Sequence, residues 1–327
     1  MQAQVHPSTS ASLRRLATAL LRGELVAIPT ETVYGLAANA LDAKACRAIF
    51  RAKRRPAYDP LIVHVLDLAQ AEPLAEFNDT ARQLARRFWP GPLTLVLPKK
   101  ACVPAIVTSG GPTVAIRAPA HPLTRRLLRL AKIPLAAPSA NLFGYISPTT
   151  VAHVREGLGG RIPHILDGGG CTVGVESTVL DMTDPRKPRI LRPGAVTARQ
   201  LEHFLGRRVL RAKPLGSNAR QLSPGLLERH YSPRTPLLLR RPVGKLPVGI
   251  AAVFLRQPGS QPAKHVFWLS RRGALREMAR NLYEVLRQAD AGRYRQIWME
   301  PLPSDGGGLA AAINDRLKRA AAEKRGC

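Results

Sequence analysis

Cysteine is scarce in this chain: four residues, Cys46, Cys102, Cys171 and Cys327, lie far apart with no CxxC pair and no histidine at zinc-ligand spacing. That excludes a disulfide framework and a thiolate metal centre, and leaves reduced, mostly packed thiols. Long apolar runs are also missing. The longest near the N-terminus, Leu16 to Leu21, is flanked by Arg14, Arg15 and Arg22, is too short to span a bilayer and has no cleavage site after it. The expectation is a cytoplasmic protein with no membrane contact. Several scaffolds are excluded by absent signatures: there is no glycine-rich phosphate loop ending in Lys-Ser/Thr, no GxGxxG turn after the first strand, no kinase set and no GxSxG elbow. Acidic residues are few, 22 against 50 Lys and Arg, for a net charge of +28.

Such a balance draws phosphates, nucleotides or RNA toward the surface. The excess comprises 39 Arg and 11 Lys, and it is spread, +18 over residues 1–235 and +10 over residues 236–327. An even excess is weaker evidence for a nucleic-acid face than a stripe would be. The 327 residues, 45% of them hydrophobic, suffice for two soluble α/β domains. Ser12 is expected to cap a helix bearing Leu13, Leu16, Ala17, Leu20 and Leu21, with a buried strand from Leu25 to Ile28 after it. Helices are predicted at Ala43 to Arg51, Thr80 to Phe88, Pro122 to Leu130 and Thr197 to Phe204. Strands are predicted at Leu61 to Val65, Leu93 to Leu97, Val114 to Ile116, Pro134 to Ala137, Ile162 to Leu166, Ser177 to Met182 and Arg189 to Leu191. The pattern divides the chain into an α/β unit over 1–210, a linker over 211–235 marked by Pro214, Gly216, Ser217, Asn218, Pro224, Gly225 and Pro233, and a small α/β unit over 236–327. In that last unit strands are expected at Gly249 to Leu255, Val266 to Leu269 and Gln296 to Met299, with helices around Leu275 to Leu286 and Leu309 to Ala321.

Seven segments carry chemistry. Pro29-Thr30-Glu31-Thr32-Val33-Tyr34-Gly35 follows a buried strand, where open α/β sheets place ligands; a threonine-rich turn with Gly35 at positive φ is the plainer reading. Lys53-Arg54-Arg55-Pro56 suits a phosphate chain or a solvated helix end, and Asp59-Pro60-Leu61-Ile62-Val63-His64 leads into a strand whose histidine would ordinarily be a core residue. Alternation places Thr113, Ala115 and Arg117 on one strand face, where the Arg needs an anion or a salt bridge. Pro138-Ser139-Ala140-Asn141 offers several donors in a proline-fixed turn. Ser147-Pro148-Thr149 reads equally as a helix start with Ser147 as cap. Gly174 to Val179, Arg192-Pro193-Gly194 and, in the linker, Ser223-Pro224-Gly225 with Arg229-His230-Tyr231-Ser232-Pro233 complete the set.

Taken in order, with Ala312 to Leu317 near the end, these segments resemble the YrdC-like family, in particular its long two-domain L-threonylcarbamoyladenylate synthases. The resemblance implies a YrdC-like open twisted mixed sheet with a concave basic face, plus a smaller Rossmann-like α/β domain. It implies an enzyme that joins L-threonine, bicarbonate or CO2, and ATP accompanied by Mg²⁺, with no protein-bound transition metal. The product would pass to a downstream tRNA threonylcarbamoyl transferase. By position in the motifs, Thr32, His64, Arg117, Ala137 and Ser177 correspond to the threonine side. Arg55, Asp59, Thr113, Ser139, Asn141, Ser147, Arg192 and Tyr231 correspond to the ATP side, and Lys53 stands between them, with Lys53 and Arg55 as the catalytic pair. Arg54 replaces the family's usual Gly and Asp59 its usual Asn. The rival readings are an RNA-binding protein without catalysis, and a carbamoyl-adenylate enzyme acting on another acceptor.

Overall fold

The structure is a computed structural model that describes residues 2–212, 222–259, 263–303 and 307–322. The larger unit contains β1 (Gln4–His6), α1 (Ser10–Leu21), β2 (Val26–Ile28), β3 (Gly35–Asn39), α2 (Ala43–Lys53), β4 (Ile62–His64), α3 (Leu68–Ala71) and α4 (Asp79–Phe88). It continues with β5 (Leu93–Pro98), β6 (Thr113–Arg117), α5 (Pro122–Ala131), β7 (Leu135–Ala136), α6 (Val151–Leu158), β8 (His164–Leu166), β9 (Thr178–Asp181), β10 (Arg189–Arg192), α7 (Ala198–Leu205) and β11 (Leu210–Arg211). The smaller unit contains β12 (Leu237–Leu239), β13 (Ile250–Arg256), β14 (Val266–Ser270), α8 (Leu275–Ala291), β15 (Gln296–Met299) and α9 (Gly307–Ala321).

The first sheet is mixed, with 11 strands in the order β1-β8-β2-β3-β7-β4-β6-β5-β9-β10-β11. One apolar core, including Ile49, Leu84 and Leu95, is shared with α2 and α4; another joins Leu13, Leu16 and Leu20 of α1 to Leu127 and Leu128 of α5. A third, smaller cluster decides where the site lies. Ile62, Val96, Ala115, Val179 and Leu191 present a sheet face on which Leu222 and Leu226 pack, so the segment after β11 returns over β4, β6, β5, β9 and β10. The second sheet, β12-β15-β13-β14, is wholly parallel, with α8 and α9 covering it as βαβ connections require. Its core does not stop at the unit boundary, because Val33, Ile146, Val175 and Tyr231 pack among Leu282, Leu286 and Ile313.

Several expectations need correction. Thr9, not Ser12, caps α1; its side chain accepts the Ser12 N–H at 3.2 Å, and the helix starts at Ser10. Ser147 caps nothing: α6 begins at Val151 under Thr150, whose hydroxyl accepts the His153 N–H. Gly35 has no positive φ but begins β3, where a Cβ would stand 3.2 Å from that of Ala137, so close approach rather than turn geometry calls for glycine. Of the expected linker, residues 213–221, with Pro214, Gly216, Ser217 and Asn218, lie outside the described residues, as does Cys327. Residues 222–235 form a packed strap in which Ser223, His230, Tyr231 and Ser232 are buried.

Candidate active site

The Pro29–Gly35 segment leaves β2 as a tight turn organised by one hydroxyl. Thr30 Oγ1 accepts the N–H groups of Thr32 and Val33 and donates to the Val33 carbonyl at 2.6 Å, which presents Thr32 Oγ1 toward β6. There Arg117, at the end of β6, donates from Nη1 to Thr32 Oγ1 at 2.9 Å, from Nη2 to Glu31 Oε1 at 2.6 Å and from Nε to the Gly91 carbonyl at 3.2 Å. A guanidinium carries five N–H groups in a planar fork, so two remain on its terminal nitrogens for a ligand. Burial alone would raise the Glu31 carboxyl; Arg117 beside it brings it below its ordinary value, so the pair is ionic. His64 on β4 is in register with Arg117, and burial together with that guanidinium pushes its imidazole down to about 3. It is therefore a neutral group at physiological pH.

A second cationic group adjoins the first. The register of β10 shifts between Ile190 and Arg192, a bulge that sets Arg192 against β9. Arg192 donates from Nε and Nη2 to the Ser177 carbonyl at 3.2 and 3.1 Å, and from Nη1 to Pro224 of the strap at 3.0 Å. Ser177 Oγ is 2.8 Å from Thr94 Oγ1 and accepts from Arg192 Nη2 at 3.2 Å. The Lys53–Arg55 segment is indeed a helix end, with Arg54 in the left-handed region at φ 52°, but Arg55 turns inward and is 7% exposed. It donates to the Asp59 and Pro60 carbonyls. Asp59 Oδ2 lies 2.9 Å from Arg55 Nη2, yet neither carboxylate oxygen accepts a well-directed hydrogen bond, and burial pushes this carboxyl above its ordinary value despite Arg55.

A cavity of about 40 Å³ lies where these groups meet. Of the residues expected from sequence, Thr32, Arg55, His64, Arg117, Ala137, Ser139, Ser177, Arg192 and Tyr231 line it. Lys53, Asp59, Thr113, Asn141 and Ser147 do not, for identifiable reasons. The Lys53 ammonium donates to the Ser139 and Asn141 carbonyls at 2.6 and 2.5 Å, so it braces the 139–141 turn from behind, and burial drives its pKa well below the usual range. Asn141 spends its amide on the Leu142 and Tyr145 carbonyls. Ser147 donates to Glu176 at 2.7 Å. Thr113 opens β6, roughly 13 Å of strand away from Arg117. Asp59 lies behind Arg55.

Nine lining residues were not among the expected site residues: Thr30, Val33, Gly35, Ile62, Pro138, Glu176, Pro224, Gly225 and His230 all belong to the motif segments, but residue type alone did not mark them. Pro224, Gly225, His230 and Tyr231 all come from the strap, which packs over the sheet face through Leu222 and Leu226. A 40 Å³ hollow is far below the roughly 300 to 1,000 Å³ of ligand sites, so the strap is closed onto the site. A larger cavity of about 680 Å³ runs between β10, α7 and α9. It lacks the convergence of buried Arg, His, Thr and Ser groups, and chemistry favours the smaller one.

Two family sequence models match the chain: one described as telomere recombination over residues 18–194, the other as the C-terminal domain of threonylcarbamoyl-AMP synthase over residues 196–322. The threonylcarbamoyl-AMP synthase of Pyrococcus abyssi is 42% identical over 321 residues, covering 94% of this chain and 93% of that one. The Bacillus subtilis threonylcarbamoyl-AMP synthase is 42% identical over 321 residues, covering 93% and 92%. Among solved structures, P. abyssi Sua5 complexed with L-threonine superposes with a TM-score of 0.89 at 39% identity and 98% coverage of both chains. With both units matched end to end and two buried cationic groups facing one hollow, the chain belongs to the threonylcarbamoyl-AMP synthase family.

Proposed function

We propose that the chain makes threonylcarbamoyl-AMP and pyrophosphate from L-threonine, bicarbonate or CO2, and ATP, as the activating step of threonylcarbamoyladenosine formation in tRNA. The observation that carries this reading is the junction of two anion-binding groups in one cavity: Arg117 with Thr32 and His64 on one side, Arg55 and Arg192 with Ser139 on the other, and Ser177 between them. The fork of Arg117 takes the threonine carboxylate, and the hydroxyls of Thr32 and Ser177 hold its polar groups. The threonine amine joins CO2 as a carbamate with loss of a proton, or joins bicarbonate with loss of water. A carbamate oxygen then forms a bond to the α-phosphorus while the bond to the pyrophosphate oxygen breaks.

Such a displacement needs alignment and charge stabilisation rather than a covalent nucleophile. Arg55 and Arg192 offset charge on the phosphates. Among the described residues no group of three or more His, Cys, Asp or Glu side chains could hold a metal, and Glu31, Asp59 and Glu176 each face an arginine. Mg²⁺ would accompany ATP and supply neutralisation of phosphate charge. The strap must lift to admit the nucleotide; once reclosed, it keeps water from a labile mixed anhydride. A downstream tRNA threonylcarbamoyl transferase collects the product. No helix among the described residues is long and apolar enough to cross a membrane. The test is pyrophosphate release with each substrate omitted in turn: release requires both threonine and bicarbonate, and release indifferent to threonine would refute the reading.

A further inference from the structure

The second unit reaches the cavity through α8 and α9. Arg316 of α9 is 1% exposed and 140 residues from Glu176 in sequence, yet its Nε donates to Glu176 Oε2 at 2.7 Å. Its Nη1 donates to the Pro193 carbonyl at 3.0 Å, next to Arg192, and its guanidinium carbon lies 5.3 Å from the centre of the Tyr231 ring. One side chain thus touches three segments that carry cavity residues. Tyr283 of α8 joins it, donating to Glu176 Oε2 at 2.8 Å and stacking on Tyr231 with ring centres 5.9 Å apart.

Simple docking of the two units does not account for this. The interface already has an apolar core built from Val33, Ile146 and Val175, and polar ties at its edge, His153 to Glu284 and Arg287 to Glu156, that touch no cavity residue. A buried ion pair adds little stability that apolar packing could not supply, but it fixes one geometry. The closed arrangement also leaves groups wanting: Arg316 Nη2 and Tyr231 Oη are buried with no hydrogen-bond partner among the described residues. A network incomplete when closed is suited to rearrange.

We propose that Arg316 and Tyr283 are positioning residues of the active site, which hold Glu176 and Tyr231 together so that the second unit sets how readily the strap opens to nucleotide. The proposal rests on the synthase reading for its meaning, but its test needs no turnover. Two mild variants separate it from misfolding: Tyr283→Phe keeps the ring stack and drops one hydrogen bond, and Arg316→Lys keeps the charge and loses the fork. Amide hydrogen exchange across residues 222–235 and stopped-flow association of a non-hydrolysable ATP analogue are measured beside threonine affinity. The expected result is about tenfold faster exchange in the strap and about tenfold faster nucleotide association, in proportion to the open population. Threonine affinity stays within about twofold, because among the described residues the hydrogen bonds and ion pair of Glu31 and Arg117 all lie within the first unit. Unchanged exchange and association in both variants would overturn the proposal. So would parallel loss of threonine and nucleotide binding, the mark of a merely structural role. Failure of the wild-type protein to form product, with the strap responses intact, would count against the synthase reading alone.

Discussion

Replacing Arg117 with lysine tests the amino-acid half of the site. In the wild type, three of the five guanidinium N–H groups are committed to Gly91, Thr32 and Glu31, and the remaining two form the fork offered to a carboxylate. An ammonium keeps the charge but cannot make two parallel hydrogen bonds while also reaching Thr32 and Glu31. A hydrogen bond to a charged group contributes about 1.5 to 3 kcal/mol, so threonine affinity should fall about 10- to 150-fold. Glu31 competes for the same cation at 2.6 Å, which places the expected loss toward the smaller end. The Gly91 carbonyl and Thr32 hydroxyl also lose a donor, and thermal stability drops with them. Titration calorimetry with L-threonine is therefore run well below the unfolding transition, where the folded fraction is complete. A dissociation constant within twofold of wild type, in a variant that still unfolds cooperatively, would refute the assignment of Arg117 to the carboxylate.

Acid sensitivity follows from His64, whose folded-state pKa of about 3 lies below the ordinary 6.5. The folded chain keeps the ring neutral while the unfolded chain takes up a proton, so stability is complete above pH 6.5 and declines as pH falls toward 3. By pH 5 this one group costs about 2 kcal/mol, and the unfolding free energies of wild type and His64→Gln, from denaturant titrations, should converge by about that amount between pH 7 and 5; parallel profiles would count against it. Gly225 sits at φ 79°, and a Cβ there would fall on the Tyr231 hydroxyl and 2.8 Å from Arg192 Nη1. Gly225→Ala should push the strap off Arg192 and lower its thermal stability by a few degrees, with threonine affinity kept; an unchanged unfolding temperature would mean that the closed strap contributes nothing to the fold.

Much of the larger unit was legible because its elements carry their own patterns. Strands β4, β5 and β6 are apolar runs bounded by prolines or turns, and α4 and α8 bury one face each. Three-residue β1 and β12 and four-residue α3 are too short to show a period, and their pairing is set by distant partners such as β8 and β15. In the site, Arg117, Arg55 and Arg192, singled out by residue type, all line one hollow. Direction was not legible: Lys53 suits a phosphate by charge, yet its ammonium is drawn to two carbonyls behind the 139–141 turn. Glu176 gave no local signal, since Arg316 and Tyr283 meet it from more than a hundred residues away.

On the proposed reading, threonine, carbonate and the α-phosphate meet end to end in one hollow between Arg117 and Arg192. Mass spectrometry of the product formed from ATP, ¹³C-bicarbonate and L-threonine tests it most directly. One adenylate should form that carries both the threonine and the labelled carbon, with unlabelled pyrophosphate released in equal amount. Labelled carbon missing from the adenylate, or pyrophosphate formed without it, would rule out this chemistry.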